Sequence, residues 1–417
     1  MKESASDSHD PFAALRIREF SFFVCARFFM TLAIQMQSVI VGWQVYSITK
    51  DVLSLGYIGL AEALPYIAVS LFSGHVADII SRKRIILVST GMMILTSAAL
   101  SWFSSDASGL IHRWGTTPIF ILIACSGIIR AFLGPAFPAW MAQIVPRSSY
   151  TNAATWNSTI WHTGFIGGNA LGGLLCMFGL SRAYLIVFMI LSTALFFVTF
   201  IGKKPVPPRE QGESLSQSLM VGLNFVFKNK IVLGALSLDL FAVLFGGAVA
   251  LLPAFADKIL HVGSAEFGLM RAAPATGAVC MAFLLAYFPQ KKNAGRNLLF
   301  AITGFGLATI GFAYSTNMYL SMFLLALSGA FDNVSVVIRH SILQLLTPDS
   351  MRGRVSAVNN IFIGSSNEIG AFESGVTARL MGLVPSVVFG GVMTVVIVGI
   401  TAKVAPALRK LNLKAIE

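Results

Sequence analysis

The chain has 417 residues, of which 56% are hydrophobic and only 12% charged, with a mean hydropathy of +0.77. The charged share is about half that of an ordinary soluble domain, and a water-soluble fold could not hide so many apolar side chains and still cover its surface. This excludes the soluble and disordered classes and identifies an integral membrane protein. At one helix and connection per roughly 35 residues, the length accommodates about twelve crossings of about 20 apolar residues each. The 37 glycines suit close-packed membrane helices. A net charge of +12 raises the question of nucleic acid, which the placement of the charges answers in the negative.

Residues 1–11 are polar and hold no apolar signal segment. The expected spans are 20–48, 54–80, 84–103, 118–141, 150–177, 182–202, 230–256, 264–287, 297–315, 318–345, 353–378 and 384–405. With the N-terminus in the cytoplasm, 21 of the 30 Lys and Arg fall on cytoplasmic segments. Five lie on the opposite loops (Lys50, Arg113, Arg182, Lys258, Arg379) and four within spans (Arg27, Arg130, Arg271, Arg339). This is the positive-inside pattern, so both termini are expected in the cytoplasm and the basic balance reflects topology and membrane lipid. Residues 203–229 are polar and Pro-rich, the one long internal linker. They divide the chain into 1–202 and 230–417, each with six spans. The expected fold is all-α, twelve transmembrane helices in two pseudo-symmetric six-helix bundles.

The two parts repeat. A shift of 202 places Ser126-Gly127 on Ser328-Gly329, Pro146 on Pro348, Asn157 on Asn359, Gly168 on Gly370 and Gly173 on Gly375. Earlier in each part the shift is about 212, with Arg84 falling on Arg296, the difference being the longer loop around 104–117. Two parallel repeats joined by a linker suit a carrier with its site between the halves.

Gly74-His75-Val76-Ala77-Asp78-Ile79-Ile80-Ser81-Arg82-Lys83-Arg84 joins the second and third spans. It resembles the signature loop of the major facilitator superfamily, G-x-x-x-D-x-x-x-[RK]-[RK]. The resemblance implies a gate in which Gly74 permits close packing, Asp78 meets a helix N-terminus of the other half, and Arg82 and Lys83 pin the loop. At the repeat position of Asp78 stands Gln290, so the second copy has lost its acid. In the fourth span, Arg130 and Gly134 match part of the superfamily's R-x-x-Q-G, with Leu133 in place of Gln. Its repeat mate is Asp332, and an ion pair across the cavity between the two is one expectation. A fixed structural pair and a substrate or proton role are equally open.

In the fifth span, Gly164, Gly168, Gly172 and Gly173 resemble the exporter signature G-x-x-x-G-P-x-x-G-G, with Asn169 where proline is expected. The loop Pro348–Arg354 carries Arg352-Gly353-Arg354, which with Arg16-Ile17-Arg18-Glu19-Phe20 and Gly42-Trp43-Gln44 resembles the enterobactin-exporter-like and drug-efflux branch. Arg352 and Arg354 are accordingly gating candidates.

Charged groups at membrane depth are costly and functional by default, and an ionised carboxylate there needs a partner or must take up a proton. The candidates for proton or substrate handling are Arg27, Glu62, Arg130, Asp239, Asp332, Glu368 and Glu373. The four cysteines form no CxxC and the six histidines no HExxH, so no metal, disulfide framework or cofactor is expected. No nucleophile–base constellation or Walker loop is present, which excludes the common enzyme classes and ATP as energy source. The expectation is a monomeric, proton-coupled exporter of an amphiphilic small molecule, such as a siderophore or drug, in the cell inner membrane. An importer or lipid carrier on the same scaffold, and a non-cycling receptor or channel, remain as alternatives.

Overall fold

The computed structural model describes residues 10–205, 215–288, 292–348 and 351–413. In chain order its helices are α1 (Arg18–Thr49), α2 (Val52–Ile79), α3 (Arg82–Phe103), α4 (Leu110–Trp114), α5 (Thr117–Ile144), α6 (Tyr150–Cys176), α7 (Leu180–Thr199) and α8 (Leu215–Lys228). They continue with α9 (Lys230–Phe245), α10 (Leu252–Lys258), α11 (Ser264–Tyr287), α12 (Ala294–Tyr314), α13 (Met318–Leu346), α14 (Arg352–Met381), α15 (Leu383–Val404) and α16 (Pro406–Arg409). Among the described residues the fold is all-helical.

Ten stretches are long and apolar enough to cross a membrane, one of them running from Lys230 through Lys258. The chain is therefore a multi-pass membrane protein. Two further helices, α6 and α14, are as long as these but too polar to join them, with Asn, Thr, Ser and His in α6 and Asn, Ser, Glu and Arg in α14. They are repeat mates.

The elements follow the expected spans with three differences. The span expected at 230–256 is broken at Gly246-Gly247 into α9, a 3-10 turn and α10. Side-chain room is lacking there, since a Cβ on Gly247 would lie 2.8 Å from the Gly370 carbonyl oxygen. The linker contains α8, whose Gly222 presses against the backbone of Arg354 at the start of α14. Short α4 fills the long loop after α3. Residues 206–214 of the linker lie outside the described residues.

Apolar packing falls into separate clusters. One is built wholly from residues between Ala14 and Ile201, among them Phe20, Phe23, Phe137 and Trp140. A second runs from Val226 to Leu413, and a third joins α10, α11 and α12 and draws in Val39 of α1.

The helix ends define two ends of the molecule. At the linker end, Lys83 donates to the carbonyls of Thr199 (3.0 Å) and Ile201, and Lys204 meets Glu19 at 2.5 Å. At the far end lie Lys50, Asp51, Asp257 and Arg379.

Candidate functional site

The site is built on glycine contacts that let helices meet backbone to backbone. In the first part, Gly127 of α5 lies against Glu62 of α2, where an added Cβ would stand 3.2 Å from the Glu62 carbonyl carbon. That approach, one helical turn away, brings the Arg130 guanidinium onto the Glu62 carboxylate as an ion pair. In the second part, Gly329 of α13 lies against Pro274 of α11, with an added Cβ only 2.6 Å from the Pro274 Cα. The shifts of 202 and 212 relate Gly127 to Gly329 and residue 62 to residue 274, so the same helix crossing is made twice.

The chemistry is not made twice. Proline at 274 replaces the acid at 62, and Asp332, the repeat mate of Arg130, has no hydrogen-bond or ion-pair partner among the described residues. The expected pair between Arg130 and Asp332 is corrected accordingly: Arg130 pairs with Glu62 of its own part. Repeat mates occupy equivalent places in the two repeated parts, and equivalence does not make them neighbours. Asp239 of α9 pairs instead with Arg339 of α13, both buried.

A small pocket, with a cavity volume of about 40 Å³, opens beside the Glu62–Arg130 pair. Its wall mixes Ile34, Val41, Ile58, Met93 and Ile123 with Gln37, Ser38 and Ser126. Gln37 Nε2 lies 3.5 Å from Ser126 Oγ, and Gln37 Oε1 is buried without a partner. An apolar wall with a few convergent polar groups is the make-up of a small-molecule site.

The second part contributes two charges to the same region. Glu368 of α14 lies within electrostatic reach of Arg130 and of Arg271 on α11, and also faces Tyr66 of α2. Arg271 crosses between the parts: its Nη2 donates to Ser38 Oγ at 3.0 Å and its Nε to Asn169 Oδ1 at 3.2 Å. Glu62, Arg130, Arg271 and Glu368 thus form two acids and two bases, one of each from either part.

The other candidates are dispersed. Arg27 stacks over the Phe137 ring at 4.4 Å with a buried Nε that lacks a partner. Glu373 bonds its neighbour Ser374. The surroundings of Gly74 and the side chain of Asp78 lie outside the described set, as do Gln290, Asp349 and Ser350. Arg82 is buried with an unpartnered Nε, and Lys83 binds the end of α7, within its own part. Arg352 donates to the Gln344 carbonyl at 3.2 Å, tying the start of α14 to the end of α13. Gly164, Gly168 and Gly172 press on α1, against Phe28, Leu32 and Met36, and only Gly173 faces the other part.

The two parts are bolted together at the far end. Lys50 meets Asp257 at 2.9 Å, Tyr46 donates to the same carboxylate at 3.3 Å, and Arg379 meets Asp51 at 2.6 Å. Beneath them, an added Cβ on Gly173 would lie 2.6 Å from Gly268 Cα, and one on Gly375 would lie 2.7 Å from Gly56 Cα. Trp43 stacks on Phe267 with ring centroids 5.7 Å apart.

Reading the sequence by cost alone could have found Arg271, since the argument that singled out Arg130 applies equally to a cation eight residues into α11. Its partner Asn169 was visible only as a departure from the exporter pattern. Nothing in the sequence marked Ser38 or Tyr66.

The family described as transmembrane secretion effector matches residues 9–416. An uncharacterized MFS-type transporter, YjbB of Bacillus subtilis (strain 168), is 24% identical over 363 residues, covering 85% of this chain and 86% of its own. The enterobactin exporter EntS of Citrobacter koseri is 23% identical over 377 residues, covering 90% and 88%. Among solved structures, an inward-facing, unoccupied bacterial homologue of the human lysosomal transporter Spinster superposes with a TM-score of 0.69 at 14% identity, over 98% of both chains. A POT family transporter in complex with 5-aminolevulinic acid gives 0.70 at 12% identity, over 94% and 96%. These relatives are membrane transporters rather than enzymes. The helical architecture, the site between two repeated parts and the match along nearly the whole length lead to one conclusion: the chain belongs to the transmembrane secretion effector family of major facilitator superfamily transporters.

Proposed function

We propose that the protein is a proton-driven exporter of an amphiphilic small molecule that works by alternating access. In this reading α6 and α14 also cross the membrane. That gives twelve crossings in two six-helix bundles, 1–202 and 230–417, joined by the linker 203–229. The excess of Lys and Arg at the linker end supports a cytoplasmic location for that end and both termini, in an inner membrane. Closure at the far end then makes this arrangement inward-facing, with the pocket reached from the cytoplasm.

The observation that carries the reading is the group Glu62, Arg130, Arg271 and Glu368, drawn from both parts. Glu62 is paired directly, whereas Glu368 faces two guanidinium groups with no direct bond, which makes Glu368 the carboxylate best placed to exchange a proton as the bundles move. The pocket's aliphatic wall suits the apolar body of a cargo, and Gln37 and Ser126 suit its polar groups. Export is favoured by the glycine pattern of α6 and by the similarity to enterobactin exporters.

An efflux-deficient bacterial host expressing the chain, loaded with ethidium or with a labelled catechol siderophore, tests this. At least one of the two should leave faster than from cells expressing Glu368→Gln, and a protonophore should remove the difference. Efflux that ignores the protonophore, or uptake in place of efflux, would overturn the reading. Labelling of Ser214→Cys by an impermeant reagent in intact cells would overturn the topology.

A further inference from the structure

We propose that Asn169 and Arg271 form a latch that holds the far end closed, and that Glu368 releases it when charged by drawing Arg271 away from Asn169. The proposal rests on the preceding reading only in letting Glu368 exchange a proton.

The latch is built from both bundles. Asn169 stands seven residues before the end of α6 and Arg271 seven after the start of α11, so both lie about two turns below the far end. Asn169 is buried, and its Nδ2 donates to the Phe165 carbonyl at 2.8 Å. That bond fixes the amide so that Oδ1 is presented to the Arg271 Nε at 3.2 Å. The bond spans the contact where Gly173 and Gly268 let α6 and α11 touch. Without either glycine the helices would stand too far apart for the bond to form. A proline at 169, as in the exporter pattern, could offer no such acceptor.

Arg271 has two sets of claimants. Asn169 and Ser38, in the first bundle, hold it by hydrogen bonds to neutral acceptors. Glu368, in its own bundle, attracts it by charge, while Arg130 faces it with like charge. A carboxylate adds Coulomb attraction to the hydrogen bond that a neutral acceptor offers a guanidinium, so a charged Glu368 competes and a protonated one does not. Protonation therefore leaves the bond to Asn169 intact and the far end shut. Proton loss draws Arg271 toward Glu368 and frees α6 from α11. The order suits exchange of an outside proton for an inside cargo: the protonated carrier turns inward, the deprotonated one outward. Ser38 lines the pocket, so a cargo bonded to it would loosen the same arginine. The groups facing Glu368 from neighbouring helices are Tyr66, Arg130 and Arg271, and Arg271 alone of these reaches the interface at Asn169.

The test uses the full chain in lipid nanodiscs, its four native cysteines changed to serine and spin labels placed at Asp106→Cys and His261→Cys, on far-end loops of the two bundles. Distances are measured at pH 5.5 and pH 8.5 without cargo or gradient. The unaltered carrier should open more at pH 8.5. Asn169→Leu, close in size, should raise the open fraction at pH 5.5 at least threefold, and Asn169→Asp should lower it at both pH values. Arg271→Gln should behave as Asn169→Leu, with Arg271→Lys between. Glu368→Gln should stay closed at both pH values unless combined with Asn169→Leu. Unchanged distances in both Asn169 variants would overturn the latch. Opening by Asn169→Leu with an undiminished pH response in Glu368→Gln would overturn the link to Glu368, and with it the proton role proposed above, while ethidium efflux would still report on transport itself.

Discussion

The two repeated parts solve the same packing problem and then place their charges differently. In the first, α2 and α5 meet at Gly127 and carry Glu62–Arg130 beside the pocket, where the Arg130 side chain keeps 39% of its surface accessible. In the second, α11 and α13 meet at Gly329 and carry Pro274 and Asp332 at the corresponding positions, with no ion pair between them. The pair formed by this part, Asp239–Arg339, joins α9 and α13 instead and is almost wholly buried, at 8% and 5%. A duplicated scaffold thus retains its glycines, which fix how helices approach, while its charges diverge into one pair accessible to a cargo and one sealed from it.

This contrast can be broken most forcefully at the sealed pair. Asp239→Ala leaves Arg339 charged in an apolar setting and should cost roughly 3–5 kcal/mol, whereas the double change Asp239→Leu with Arg339→Met should recover most of it. Thermal unfolding in detergent checks both, and equal losses in the single and double variants would show that the pair is not the source. Next comes the crossing itself. Gly127→Val should drive α5 from α2 and cost about 1–3 kcal/mol. Gly91→Ala on α3, where an added Cβ meets nothing within 4 Å, should be neutral or gain about 0.5–1 kcal/mol.

The accessible pair should behave in the opposite sense to the sealed one. Glu62→Gln should lower stability by no more than about 1 kcal/mol, because solvent screens Arg130, yet reduce ethidium efflux strongly. A large stability loss with intact efflux would make the two pairs alike and erase the distinction. The smallest effect belongs to Asp332→Asn, which removes an unpartnered carboxylate and should leave stability within about 0.5 kcal/mol or raise it, with efflux retained. Loss of efflux there would move the proton site from Glu368 to Asp332.

Hydrophobicity alone carried ten of the long membrane helices, because an uninterrupted apolar run has few other uses. α6 and α14 lie where two spans are expected, but hydropathy does not single them out, since Asn169 and Glu368 stand where a lipid-facing helix would carry Leu. The glycine stripe of α6 was visible, but a stripe does not name the helix it receives. Gly164, Gly168 and Gly172 face α1, while the neighbour Gly173 faces α11. The error over Arg130 has the same root: a linear shift gives symmetry, and contacts depend on which helices the symmetry sets side by side. Asn169 shows the reverse case, in which a departure from a known pattern marked a residue that makes a new bond.

At the far end, Lys50 and Asp51 are adjacent in sequence and opposite in sign, and they meet Asp257 and Arg379, also opposite in sign. Each of these exposed pairs is worth only about 0–1 kcal/mol, too little to hold a door against the forces of transport. Their order matters more than their strength. If the two parts met with the partners exchanged, Lys50 would face Arg379 and Asp51 would face Asp257, and both contacts would repel. The four charges therefore act as a key cut in two notches: each pair is weak, and together they admit only one way of matching the two parts at this end.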